Sequence, residues 1–486
     1  MQEKTSFINS RMIKNLNLLC LVLTICLVLF FPSKKQIWYD ESVSVLCSKG
    51  LYYTAGNALT ALPGNTSAAL EKQNNPPAVY NCTIIDNGNS FIYNEALYLF
   101  TKVFGNSLIS YVLLSKLCAV LALIAFFLLA SQFLEGSIFI SLALVFIATD
   151  TIFWGMAHEV RAYIMGILFV TLSVLYFYKY MYKGDKAWHL FLTGLFAASA
   201  ILSHYLSAYV ILVLLGYLFI VKKTALFALK NIVAIVIPLA VVGIYFYFAA
   251  RGFQTMANQN SSIAAKTDEV AFSIAQVFML SSKFAAMNFK VIFPFISGSN
   301  IVVLLSALLV IGIYIAAVWF ANTPKEKRDL HLLFLLGISS SLFLGALSIK
   351  SHHYTALYAR YFSFSLPFTS LFIVYALKVL YTSPRIKKIF SVALTTLIVF
   401  PAVGFFLFGI VKYAPKEKFN HIAVAKKIEV DKVNKIVIPD WTDAYLIQSF
   451  LPTGYNIEYI IDNTSKDFTL FHGETIEKIA VIRINS

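Results

Sequence analysis

Long apolar runs separated by short polar stretches set the frame of this chain. A hydrocarbon core about 30 Å thick takes roughly 20 apolar residues per helix. By that measure the pattern predicts crossings near 16–32, 108–130, 136–154, 161–179, 187–203, 205–221, 230–249, 300–320, 331–349, 361–381 and 389–411. Between Phe272 and Gly298 lie two apolar pieces, FSIAQVFML and FKVIFPFISG, each too short to cross. They read as interfacial or re-entrant helices. The first run follows Lys4, Arg11 and Lys14, as a signal peptide would. No small-residue cleavage site follows it, so it reads as an uncleaved first span. Beyond Val411 the pattern changes: KIVIP and YNIEYII read as short strands around a helix in DAYLIQSF, and KIAVIRI as a further strand. The expected fold is an all-α polytopic membrane protein of about eleven transmembrane helices over residues 1–411, with a large first outer loop at 33–107. Residues 412–486 are expected to form a small soluble α/β domain outside the membrane.

Composition agrees. Of 486 residues, 59% are hydrophobic and 13% charged, with a mean hydropathy of +0.74. A soluble globular chain is roughly half apolar and a quarter charged. The net charge of +15 does not mark a nucleic-acid binder, because the basic residues flank apolar runs and no basic cluster has interleaved aromatics. Placing the N-terminus inside puts Lys179, Lys183 and Lys186, then Lys222, Lys223 and Lys230, Lys325, Lys327 and Arg328, and Arg385, Lys387 and Lys388 in inside loops. The opposite parity would put those clusters on the wrong side. The predicted topology is N-inside, C-outside.

That topology gathers four polar sites on the outer face: Asp40-Glu41, the NNPP stretch Asn74–Pro77, HEVRAY at His158–Tyr163, and KSHHYTALYARY at Lys350–Tyr361. Neighbouring residues on a helix point about 100° apart, so Asp40 and Glu41 do not aim at one atom. One carboxylate acts while the other orients it or meets another partner. A solvated helix cap is the plainer reading. His158, Glu159 and Arg161 lie where one span ends and the next begins, suiting either interfacial anchoring or a second acid with a cation for an anionic ligand. Arg360, with Tyr358 and Tyr361 close by, suits headgroup anchoring or a lipid phosphate, for which its planar fork of donors is fitted. His352 and His353 chelate poorly as neighbours and would need a carboxylate from elsewhere, so no metal and no other cofactor is favoured. Of the five cysteines, Cys20, Cys26 and Cys118 lie in apolar runs, whereas Cys47 and Cys82 share the outer loop, with their pairing left open by sequence.

The order of these features resembles a known family. An outer YDE follows span one, then a loop carrying PP, then Phe104-Gly105 before span two, an acid-Arg-Tyr cluster after span three, and ARYFSFSLPF opening a late span. Over about residues 15–410 this is similar to the GT-C membrane glycosyltransferases, in the branch with protein O-mannosyltransferases and the lipid A aminoarabinose transferase. The resemblance implies a polyprenyl-phosphate-linked sugar as donor and transfer to an acceptor glycan, lipid or protein. It also implies a site on the extracytoplasmic side of a bacterial inner or plasma membrane. By the same resemblance Asp40 is the catalytic base. Glu41 and Glu159 then orient the acceptor or a basic partner, and His158, Arg161, His352, His353, Tyr358 and Arg360 line the substrate site. The chain departs from the family at Asn75, where a His often precedes the Pro pair. It also has Lys116 in place of an earlier Arg, and a long polar stretch from Asn81 to Asn94. A transporter or flippase is the main rival, but no paired-half pattern and no ladder of mid-span acids supports it. A non-catalytic assembly protein would tolerate the loss of Asp40.

Overall fold

A computed structural model describes residues 2–31, 39–50, 76–85, 89–184, 186–222, 228–264, 300–351, 359–386, 421–438, 441–451, 457–461, 467–472 and 475–480. The helices, in chain order, are α1 Gln2–Phe30, α2 Tyr39–Ser48, α3 Pro76–Ile85, α4 Phe91–Phe104, α5 Leu108–Leu134, α6 Phe139–Ala148, α7 Thr151–His158 and α8 Tyr163–Tyr182. They continue with α9 Ala187–Ser203, α10 Ala208–Val221, α11 Leu229–Ala264, α12 Asn300–Phe320, α13 Pro324–Ser351, α14 Leu366–Thr382, α15 His421–Val430 and α16 Trp441–Phe450. Two short 3-10 turns, Tyr205–Ser207 and Ala359–Ser365, interrupt the sequence of helices.

The chain is a multi-pass membrane protein. Among the described residues five helical stretches are long and apolar enough to cross: Arg11–Phe30, Leu108–Leu134, Tyr163–Tyr182, Leu229–Ala249 and Arg360–Thr382. A sixth forms if α6 and the following Ile152–His158, bent by 60°, count as one. Shorter apolar helices occupy Ala187–Ser203, Tyr205–Val221 and Leu308–Phe320. The expected span at 389–411 and the short pieces at 272–298 lie outside the described residues. Burial sorts the crossings into layers. The Arg360–Thr382 window is 94% buried and the Arg11–Phe30 window 22%, so α14 lies at the centre of the packing and α1 at its periphery. Packed around α14 are α6, α12 and α13, with α8 between α5 and α9. Phe126, Phe133, Phe177, Tyr178 and Tyr375 fill the space between them.

Local chemistry sets the breaks. Pro76 and Pro77 begin α3, where a proline's fixed φ and missing N–H suit a first helical turn. The loop expected around the proline pair is therefore the start of a helix. Parts of the polar stretch Asn81–Asn94 are helical. Asn81–Ile85 continue α3, and Asn94 is buried in α4, its Nδ2 donating to Thr83 Oγ1 at 3.0 Å. Gly105, at φ 77°, ends α4, a left-handed position that a glycine fills without strain. Ser107 then caps α5, accepting from Ser110 N. Asp150 caps α7 by accepting from Ile152 N at 2.7 Å and Phe153 N at 2.8 Å, and so builds the bend that precedes His158.

Beyond residue 420 the chain forms a four-stranded sheet. Its strands are β1 Lys435–Ile438, β2 Glu458–Ile461, β3 Asp467–His472 and β4 Thr475–Ala480, in the order β2-β1-β3-β4. β1 pairs parallel with β2 and antiparallel with β3, and β3 pairs antiparallel with β4. Strand β3 and helix α15 go beyond the elements read from sequence. Ile436, Ile438, Phe468 and Leu470 of the sheet pack against Val424 and Ile428 of α15 and Ile447 of α16.

Cys47 of α2 and Cys82 of α3 are joined by a disulfide across a sequence separation of 35 residues. Closing a loop of that size restricts the unfolded chain by about 4 kcal/mol in the loop-entropy description. Cys82→Ser is therefore expected to lower the thermal midpoint of the purified protein by several degrees, and adding reductant to wild type is expected to reproduce the shift. An unchanged midpoint in both experiments would show that the bond contributes no stability.

Candidate active site

The first turn of α2 is the centre of the outer polar cluster predicted from sequence. Carboxylates belong there, because the helix dipole and its unpaired N–H groups favour negative charge. The two acids have separate partners. Asp40 Oδ2 accepts from Arg360 Nη1 at 2.8 Å, and both side chains are partly open, at 24% and 19% of their surface. Glu41 is 1% exposed, and its Oε1 accepts from the Val160 amide at 2.7 Å. Arg161 completes the clasp: its Nη1 donates to the Asp40 carbonyl at 2.8 Å and to Ser44 Oγ at 3.2 Å.

Residues 40, 41, 160, 161 and 360 thus meet, although more than 300 positions separate the ends of the set. Arg360 comes from the 3-10 turn Ala359–Ser365, which packs on α7 and α8. That seat depends on Gly166 in α8, because a Cβ there would collide with the Phe364 ring. Tyr209 OH donates to the Tyr361 carbonyl at 3.0 Å and ties the same turn to α10. The Arg360 guanidinium lies over the Tyr361 ring, 5.5 Å from its centroid.

The remaining candidates divide. His158 is buried and its Nδ1 donates to the Trp154 carbonyl at 2.9 Å while its ring tilts on Trp154 at 4.6 Å. Glu159 ends α7 in an extended conformation, and its backbone carbonyl accepts from Ser115 Oγ at 2.7 Å. Lys116 donates to the carbonyls of Leu29 and Phe31 at 3.0 and 2.8 Å. There it caps the C-terminal end of α1. His352, His353, Tyr358 and Asn75 lie outside the described residues. Among the described residues, no group of three or more His, Cys, Asp or Glu side chains is arranged to hold a metal ion.

Sequence reasoning missed His204, in the break between α9 and the Tyr205–Ser207 turn. Its ring lies 4.6 Å from Tyr163 and 5.2 Å from Phe364, which connects it to the same cluster. Burial, helped by the nearby charges of Arg161 and Arg360, pushes it down to about 3, so the ring is neutral at physiological pH. Because Nδ1 accepts from Leu206 N, the ring proton sits on Nε2. A signal was present in the sequence: SHYLS interrupts two apolar runs at a predicted outer turn.

If Glu41 serves only to hold the Val160 amide, Glu41→Gln keeps an acceptor oxygen and is expected to lower activity no more than severalfold. Glu41→Ala leaves a buried N–H unpaired, a loss of about 1–3 kcal/mol, and is expected to lower the unfolding midpoint as well as activity. Paired activity and melting measurements on the two variants decide this. Equal and severe loss of activity in both, with normal melting, would make Glu41 a participant in the chemistry.

Residues 91–248 match the family model described as dolichyl-phosphate-mannose-protein mannosyltransferase. The chain is similar to glycosyltransferases of the GT-C class over that segment and in its fold. Among solved structures it is similar to ArnT from Cupriavidus metallidurans in the apo state, with a TM-score of 0.50, 11% identity, and coverage of 95% of this chain and 86% of that one. ArnT bound to undecaprenyl phosphate aligns with a TM-score of 0.43 at 12% identity, covering 90% of this chain and 74% of that one. The Archaeoglobus fulgidus oligosaccharyltransferase, in complex with Zn and sulfate, aligns at 0.46 and 11% identity, covering 92% of this chain and 62% of that one. No curated protein sequence matches.

Proposed function

We propose that the protein transfers a sugar from a polyprenyl-phosphate donor to an acceptor hydroxyl at the extracytoplasmic membrane surface, with inversion at the anomeric carbon. The observation that carries this reading is the Asp40–Arg360 pair at 2.8 Å, a partly open carboxylate and guanidinium at one end of the candidate span Arg360–Thr382. A sugar on a lipid phosphate keeps its tail in the bilayer and its head at the interface, within reach of such a pair. The donor phosphate takes the Arg360 fork, which satisfies it in two directions, and Asp40 is released toward the acceptor. Asp40 removes the hydroxyl proton as the acceptor oxygen bonds to the anomeric carbon. The bond from that carbon to the phosphate oxygen breaks, and the polyprenyl phosphate leaves with the electron pair, its added charge met by Arg360. Arg161 and Glu41 hold the first turn of α2 in place for this step. Glu159 and His158 frame the site from α7, and the reading also assigns His352, His353 and Tyr358, which precede Arg360 in the sequence, to substrate binding.

Eleven crossings with the N-terminus inside belong to the same proposal, as does an extracytoplasmic unit at 412–486. No cofactor is invoked. The partners are the lipid-linked donor, an acceptor glycan, lipid or protein, and membrane lipids. The match of residues 91–248 to a family described by dolichyl-phosphate-mannose favours a lipid-linked donor. The test is a transfer assay with purified protein, labelled undecaprenyl-phosphate sugars and candidate acceptors. Appearance of glycosylated acceptor with inverted configuration supports the proposal, whereas transfer from a nucleotide sugar alone would overturn it.

A further inference from the structure

The first turn of α2 is held by the membrane helices, and its other end is held by the C-terminal sheet unit. Lys49, one residue past α2, is 3% exposed. Its ammonium donates to two backbone carbonyls, Ser449 at 2.9 Å and Leu451 at 3.2 Å. Both sit at the C-terminal end of α16, where carbonyls lack helical partners and the dipole favours a cation. Burial nevertheless pulls Lys49 down to about 8, so the charge is held there against its own desolvation. A lysine used only to cover a helix end would keep its ammonium in water.

Leu46 lies three residues back, on the same face of α2, and belongs to the apolar core of the C-terminal unit with Ile436, Ile447, Leu451 and Phe468. Between the two, Cys47 is bonded to Cys82. A ten-residue helix is a rod of about 15 Å, and its opposite end carries Asp40. Glu41 and Arg161 hold its first turn and the Cys47–Cys82 bond ties its last turn to α3; the Lys49 and Leu46 contacts add a further anchor, on α16, that bears on its direction.

We propose that the C-terminal unit is a positioning part of the transfer site: α16, docked on α2 through Lys49 and Leu46, sets the direction from which Asp40 meets the acceptor hydroxyl. The catalytic consequence rests on the transfer reading, and the mechanical one does not. The experiment uses the full chain in lipid nanodiscs as wild type, Lys49→Met and Lys49→Arg. Hydrogen–deuterium exchange in Lys49→Met is expected to quicken about tenfold in residues 39–50 and at the Val160 amide, with α5 and α8 unchanged. Lys49→Arg keeps the cation and is expected to restore protection.

With undecaprenyl-phosphate-linked mannose as probe, kcat of Lys49→Met is expected to fall about tenfold or more while the donor KM holds, because a misaimed base slows the step without weakening donor binding. Unchanged exchange in α2, or faster exchange with undiminished kcat, overturns the proposal. A wild type that transfers nothing to any acceptor would sink the transfer reading, while the exchange arm still decides whether the anchor exists. If Lys49→Met does not fold, Leu46→Ala is subject to the same two readings.

Discussion

Asp40→Asn is expected to slow sugar transfer by about 10²–10⁴-fold, the usual worth of a positioned general base, and to leave the fold intact. An acceptor hydroxyl is a weak nucleophile, and Asn offers no group that takes its proton. The change is nearly isosteric, and the Asn side-chain oxygen still accepts from Arg360 Nη1, which is now 2.8 Å from Asp40 Oδ2. The clasp around the first turn does not depend on the Asp40 carboxylate. Arg161 grips its backbone carbonyl, and Glu41 holds Val160. Donor binding is therefore expected to change little, and the loss should fall on kcat. The measurement is single-turnover transfer with saturating donor, beside thermal melting of both proteins. Transfer by Asp40→Asn within about threefold of wild type, from a normally melting protein, would remove Asp40 from the role of base.

How far the sequence carried these conclusions varies from residue to residue. The apolar runs were legible because a bilayer demands length and hydrophobicity in one stretch, and that signal is local. Tyr163–Tyr182 and Arg360–Thr382 stand where the pattern put them. The shared cluster was legible only through parity: crossings counted in order set Asp40, Arg161 and Arg360 on one face, and the structure brings all three together. Parity gives a side and no contacts. Arg161, expected to meet an anionic ligand, spends Nη1 on the Asp40 carbonyl and Ser44, because a backbone carbonyl is a partner that no side-chain pattern records. Glu41 meets a backbone amide for the same reason. The prolines at 76 and 77 read as loop because proline breaks most helices, yet at a first turn it starts them. The cysteine pairing was open because spacing alone does not bring two β-carbons together. His204 was overlooked because one histidine between two apolar runs looks like an ordinary turn until its ring neighbours are known.

Arg360 offers the second large effect. Arg360→Gln is expected to reduce kcat about 10²–10³-fold, as the loss of a preorganised group at a site of developing charge commonly does. Arg360→Lys is expected to recover only part of this, since an ammonium is a point charge and lacks the fork that meets two phosphate oxygens at once. Donor KM should rise in both variants, which separates Arg360 from Asp40, where KM should hold. The double variant is the sharper measurement. Asp40 and Arg360 touch in the structure, and groups that act in one step are strongly non-additive. Asp40→Asn combined with Arg360→Gln is therefore expected to be about as slow as the slower single variant. Losses that multiply instead would mean that the two residues act independently. In that case the 2.8 Å contact would be a surface ion pair of little energetic consequence, and the leaving phosphate would draw its stabilisation from some other cation on the same face.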